Sequence, residues 1–227
     1  MTREALTRQI HQLQDEILLL GSMVEQAMLT AVDALKRRDG VVAKKIYSDD
    51  RLINEKRFAI ENAVLITIAT QQPMAHDLRQ LAAMLEVINE LERMGDYAKG
   101  ISKVVQMLGD APLTLPNREL GRMAELAVSM LHRALSAFVS ENASLAARIP
   151  TEDDAVDELY LKVYHIMIDQ MIQDPAVIDH ANLLMWVAHD LERMADRVTN
   201  ICERTVFIAT GELLEFEAGE EEEEDSE

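Results

Sequence analysis

Two acidic motifs a hundred residues apart carry the types and spacing that could do chemistry. Leu91-Glu92-Arg93-Met94-Gly95-Asp96 returns as Leu191-Glu192-Arg193-Met194-Ala195-Asp196. At ~100° per residue around a helix, Glu192, Asp196 and Asn200 fall on one stripe, with His189 and Glu203 in the same sector and Val187, Leu191, Met194, Val198 and Ile201 roughly opposite. The first copy repeats the arrangement: Asn89, Glu92 and Asp96 share a sector, and Leu91, Met94, Ala98 and Ile101 form the apolar side. The wheels predict acids on the outside of a bundle. Carboxylates one turn apart repel by roughly 0.2–0.5 kcal/mol, and a second acidic pair lies upstream in each copy. Asp50-Arg51-Leu52-Ile53-Asn54-Glu55 aligns with Asp153-Asp154-Ala155-Val156-Asp157-Glu158. Acids kept twice and facing acids on a neighbouring helix point to a compensating cation, and hard oxygen ligands suit Mg²⁺, Mn²⁺ or Fe. One predicted site is Asp50, Asn54, Glu92 and Asp96; the other is Asp153, Asp157, Glu192 and Asp196. His189 could add a nitrogen, although a lone surface histidine is more often simply solvated. The bland alternative is a solvated face whose charges pair with Arg93 and Arg193, and the repetition weighs against it.

Other chemistries find little support. A buried di-iron centre in a four-helix bundle needs Glu-x-x-His on two helices. The residues three before the six histidines are Arg8, Pro73, Ser129, Lys162, Val177 and Trp186, none of them Glu. No Gly-rich phosphate loop, nucleophile elbow or zinc pattern occurs. Cys202, the single cysteine, falls beside the apolar stripe and reads as an inert buried thiol. Trp186 and the 13 Met read as core and interface filling.

These motifs require helices to position them. Breakers fall at Asp39-Gly40, Gln72-Pro73, Gly109 to Pro116, Pro150 and Asp174-Pro175, dividing the chain into six helical segments. In the first, Leu6, Ile10, Leu13, Ile17, Leu20, Val24, Met28, Ala31 and Leu35 recur at spacings of three and four. Thr151 and Asp174 are predicted N-caps. The predicted fold is all-α: two tandem three-helix bundles, residues 1–110 and 116–211, related by an internal repeat with a pseudo-two-fold. An acidic tail at 212–227 is expected to be disordered. Composition agrees, with 48% apolar but only 4% aromatic residues, poor material for an all-β fold. The net charge of -19 argues against nucleic acid as a partner. Ten of the acids lie between Glu212 and Glu227 with no basic residue among them, leaving -9 on the rest. The longest stretch free of Asp, Glu, Lys and Arg is 15 residues, Asn62 to His76, short of the ~20 needed to cross a bilayer. No membrane insertion and a cytoplasmic location are the expectations.

Gln71-Gln72-Pro73-Met74-Ala75-His76-Asp77-Leu78-Arg79, followed by Glu90 to Asp96 and then by Asp190 to Asp196 with Asn200-Ile201, resembles the PhoU family over nearly the whole chain except the tail. The resemblance implies two three-helix bundles with surface metal sites at Glu/Asp-x-x-x-Asp motifs, holding divalent or trivalent Fe, Mn, Mg or Zn. It carries the metal role onto Glu92, Asp96, Glu192 and Asp196 first, then onto Asp50, Asn54, Asp153 and Asp157. Asn200 matches the family's Asn after the second motif, and its first-copy counterpart is Gly100. Also implied is a non-enzymatic restraint on phosphate uptake and on the phosphate-starvation response, exerted by a homodimer. The implied partners are the ATPase subunit of a phosphate ABC transporter and a phosphate-sensing histidine kinase. The alternative is a metal-dependent phosphoester or polyphosphate hydrolase using the same acids.

Overall fold

The computed structural model describes residues 3–216. The apolar stripe of the first segment becomes helix α1 (Arg3–Arg37), whose Ile17, Leu20, Val24 and Met28 have no exposure at all. Arg38, at φ 53°, turns the chain, and Asp39 caps the next helix by accepting from the N–H groups of Val41 and Val42, each at 3.0 Å. Helix α2 (Gly40–Gln71) ends at Gln72 in the left-handed region, just before Pro73. Helix α3 (His76–Leu108) completes the first bundle. The linker to the second is held by Arg38, whose guanidinium donates to the carbonyls of Gly109, Ala111 and Leu113 at 2.8 to 3.1 Å.

The second half comprises α4 (Asn117–Val139), a single turn α5 (Ala143–Ala146), α6 (Asp154–Gln173) and α7 (Ile178–Thr210). Among the described residues there is no strand. Helices α4, α6 and α7 form the second three-helix bundle. The capping expectation holds at Asp174, whose Oδ1 accepts from Ala176 N–H at 3.0 Å. It fails at Thr151: the hydroxyl instead donates back to Arg148 O at 2.9 Å, and a 3₁₀ turn at Pro150–Glu152 precedes the helix. The acidic pairs also enter their helices differently. Asp50 lies ten residues inside α2, whereas Asp153 and Asp154 stand at the very start of α6.

The two bundles meet through antiparallel helix pairs. On α3 and α7, Arg79 reaches Ile208 O at 3.4 Å, Glu86 pairs with Arg204 at 3.0 Å, Glu90 pairs with Arg197 at 3.3 Å, and Gly100 lies beside Asp190. On α1 and α4, Gln14 reaches Val139 O, Gly21 abuts Leu135, and Glu25 lies 3.4 Å from His132. Antiparallel crossing of both equivalent pairs is what a two-fold between the halves requires, so the repeat in the sequence is a repeat in space. Leu91, Met94, Leu191 and Met194, all fully buried, lie in the shared core. Burying each contributes roughly 1.5–3 kcal/mol.

Three expectations need amendment. Trp186 is 63% exposed and fills no core; at its place on α7 it lies off the stripe of Leu184, Val187, Ala188 and Leu191 that packs inward. Met74 and Met107 are likewise exposed, while Met28, Met84, Met94, Met123, Met130, Met167 and Met194 are buried as expected. By length and composition alone, α1 is apolar enough to match a membrane span. Its apolar stripe is the bundle core. The tail is placed as far as Phe216: Gly211 ends α7 at φ 82°, and Phe216 N–H donates to Glu203 Oε1 at 2.9 Å. Residues 217–227, where most of the expected disorder falls, lie outside the described residues.

Candidate metal centres

In the first half, α2 supplies Asp50 and Asn54, and α3 supplies Glu92 and Asp96. Asp50 is only 6% exposed, against the expectation of acids on the outside. A helical wheel for α3 says nothing of α2, which packs along the flank of the acid stripe and closes over it. The close approach of α2 is visible at Gly95, where a Cβ would sit 3.1 Å from Ile53 Cδ1. In the second half the same positions are Ala195 and the shorter Val156, both fully buried, so the bulk is divided differently across the same seam.

Lys99, one turn beyond Asp96, reaches across to α2. Its Nζ donates to Asp50 Oδ2 at 2.6 Å and lies 3.8 Å from Asp96 Oδ1. Asn54 Nδ2 also donates to Asp50 Oδ2, at 3.3 Å, while Asp50 Oδ1 is buried without a hydrogen-bond partner. Burial, then the neighbouring Asp96, raises the Glu92 pKa; burial and Asp50 raise that of Asp96, with Lys99 and Arg93 opposing.

The second cluster gathers Asp153 and Asp157 from the start of α6 with Glu192, Asp196 and Asn200 from α7. Burial, with Asp157, Asp196 and Glu192 beside it, pushes Asp153 up to about 7. Burial and the charge of Asp196 push Glu192 to about 7 as well. Asp157 and Asp196 are raised too, chiefly by burial, and the carboxyls of Asp153 and Asp196 approach closely enough to share a hydrogen bond. Asp153 Oδ1 and Glu192 Oε2 are buried without a hydrogen-bond partner; His189 Nδ1 stands 3.3 Å from Glu192 Oε2 but is not aligned to donate. A cleft of about 480 Å³ opens onto this cluster, lined by Asp153, Asp157, Asp196, Thr199, Asn200 and Phe216 among others.

The predicted residues therefore assemble into two clusters, each between two helices, as their spacing implied. Among the described residues no three His, Cys, Asp or Glu side chains already form a closed ligand set, so the oxygens would have to swing together around an ion. The donor chemistry suits a hard cation: carboxylates whose pKa values are raised by burial and then by mutual repulsion, and buried oxygens left without a donor. Helical wheels do not reveal Lys99 or Phe216. Glu203, which shares the acid sector of α7, is 8% exposed and engages Phe216 N–H and Arg204. Lys99 was readable in principle, since alignment of the copies sets it against Thr199. Cys202 is buried, and its thiol is pushed up to about 12 by that burial, as expected of an inert group.

A duplicated, all-helical fold bearing one acidic cluster per half defines a narrow class of protein. The model of the PhoU domain matches this chain twice, at residues 17–105 and 120–205. The chain belongs to the PhoU family. A Clostridium acetobutylicum protein named phosphate-specific transport system accessory protein PhoU homolog is 32% identical over 217 residues, covering 95% of this chain and 99% of that relative. The Escherichia coli K12 protein of the same name, without the qualifier homolog, is 31% identical over 216 residues, covering 94% and 88%. Among solved structures, the phosphate transport system regulatory protein PhoU of Streptococcus pneumoniae superposes with a TM-score of 0.84 at 33% identity, covering 93% of this chain and all of that one. PhoU of Pseudomonas aeruginosa also gives 0.84, at 26% identity, covering 91% and 99%.

Proposed function

We propose that this chain is a non-enzymatic regulator of phosphate uptake and of the phosphate-starvation response. It would act in the cytoplasm as a metal-binding homodimeric adaptor between the ATPase subunit of a phosphate ABC transporter and a phosphate-sensing histidine kinase. The observation that carries this reading is the pair of acidic clusters set on a fold shared end to end with relatives named as accessory and regulatory proteins of phosphate transport. A divalent ion would neutralise acids that burial and mutual repulsion disfavour in their charged form. With the acids neutralised, that face could present a cationic centre to phosphate or to a partner. The test is binding of purified chain to the purified transporter ATPase, with and without chelator and at high and low phosphate. Chelator-sensitive binding is the expected result; binding to neither ATPase nor kinase under any condition overturns the adaptor reading.

A second reading, hydrolysis of phosphoesters or polyphosphate, draws on Asp153, a carboxylate pushed up to about 7 that lines an open cleft. Such a group suits general-base work. Phosphate release from polyphosphate by the Mn²⁺-loaded chain, abolished by Asp153→Asn, is the result that would favour it.

A further inference from the structure

We propose that Lys99 is a built-in cation that occupies the first acidic cluster, so that the two halves differ in kind: the second takes a divalent ion, whereas in the first an ammonium already sits against the buried carboxylate of Asp50. This rests on the metal-binding reading above and concerns which residues of this chain permit it.

The ammonium of Lys99 bridges the same two helices that an ion would bridge. It lies 2.6 Å from Asp50 Oδ2 on α2 and 3.8 Å from Asp96 Oδ1 on α3. Its acceptor Asp50 is more than nine-tenths buried, so the partly exposed lysine is anchored on an interior carboxylate. A divalent ion entering the first cluster would have to expel the ammonium or tolerate a positive charge within a few ångströms, and either weakens binding.

The second cluster has no such occupant. The position equivalent to Lys99 is Thr199, which brings no charge, and the position equivalent to Gly100 is Asn200, which lines the cleft. Among the described residues, the one basic group against it is the His189 imidazole, 3.3 Å from Glu192 Oε2, and the two arginines of this stretch of α7 are engaged with α3. Arg197 donates toward Glu90 at 3.3 Å and Tyr97 Oη at 3.4 Å, both on α3, and the Arg193 guanidinium lies 5.8 Å from the Tyr97 ring centroid. Here the orphaned oxygens are Asp153 Oδ1 and Glu192 Oε2. The first half sets an ammonium against its buried carboxylate, leaving only Asp50 Oδ1 without a partner, whereas the second offers no ammonium among the described residues, only the His189 imidazole beside Glu192.

The experiment is Mn²⁺ binding to the full chain, read by equilibrium dialysis and by the loss of the free-ion magnetic resonance signal. Wild-type protein should show tight binding that survives Glu92→Gln/Asp96→Asn and disappears in Glu192→Gln/Asp196→Asn. Lys99→Thr should add a second class of tight site, and Thr199→Lys should weaken the second-half site by about tenfold or more, since each changes one unit charge at contact range. Thr199→Lys also keeps the proposal testable should Lys99→Thr fail to fold with Asp50 unpaired. Equal loss of binding in the two double variants, or unchanged number and affinity in both Lys99→Thr and Thr199→Lys, overturns the role of Lys99 while leaving metal binding standing. No Mn²⁺ binding by wild-type protein overturns the metal reading itself, and this inference with it.

Discussion

The first and second acidic clusters share a frame and differ in charge. Each is set on two helices of a three-helix bundle, with a Glu and an Asp one turn apart on one helix and an Asp and its companion one turn apart on the other. In the first, a lysine from the same helix reaches Asp50. In the second no lysine stands at that place, and Asp153 and Glu192 are pushed to about 7. Internal duplication thus keeps Leu91 and Leu191 equally buried while the charges beside them diverge, with Lys99 standing where the second half has Thr199.

The comparison can be broken most forcefully by removing the ammonium. Lys99→Met keeps the apolar stem but strands Asp50, and is expected to cost about 2 kcal/mol in chemical denaturation, less than the 3–5 of a fully buried pair because the lysine is partly exposed. Thr199→Val, its counterpart, should move stability by no more than about 0.5 kcal/mol. A smaller effect is expected at the seam. Gly95→Ala presses a methyl against Ile53, whose Cδ1 and Cγ2 lie 3.1 and 3.2 Å from the new Cβ, and should cost about 1.5 kcal/mol. Adding Ile53→Val, which installs the Val156–Ala195 pairing of the second half, should recover most of that loss in a double-mutant cycle.

Titration sharpens the contrast further. The folded pKa values of Asp153 and Glu192, about 7, exceed their ordinary 3.8 and 4.5. The native state therefore binds more protons than the unfolded chain between these limits, and this contribution to stability is present at low pH and lost as pH rises through 7. With half-exposed groups screened by solvent, the ion-free protein should lose about 1 kcal/mol between pH 5 and pH 8 from this source. Asp153→Asn should flatten the profile, and millimolar Mg²⁺ or Mn²⁺ should raise the melting temperature more at pH 8 than at pH 5, because the ligands must be deprotonated. A small change is also expected at Phe216, which is half-buried and lines the second cleft. Phe216→Ala should cost about 0.5 kcal/mol and leave the first cluster untouched.

Much of this was legible in the sequence, for reasons that also mark where legibility stopped. Period-3.6 apolar spacing and Pro or Gly breakers delimit helices, and a repeat at fixed offset implies two like bundles; both are properties of one segment or of the chain against itself. The depth of Asp50 is not, since it depends on how closely α2 rides over α3, which Gly95 permits. Nor is the reach of Lys99 to Asp50, which spans two helices 49 residues apart. Of the two places read for Trp186, core and interface, its 63% exposure excludes the core, because it stands off the inward stripe of α7. The docking of Phe216 onto Glu203 lay inside a stretch whose acidity read as a solvated tail.

Crystals grown with Mn²⁺ and measured for anomalous scattering would test the central claim most directly. The expected result is a peak among Asp153, Asp157, Glu192, Asp196 and Asn200, with Lys99 still seated on Asp50 and no peak there. A peak of equal height between Asp50 and Asp96, or none in either half, would contradict it.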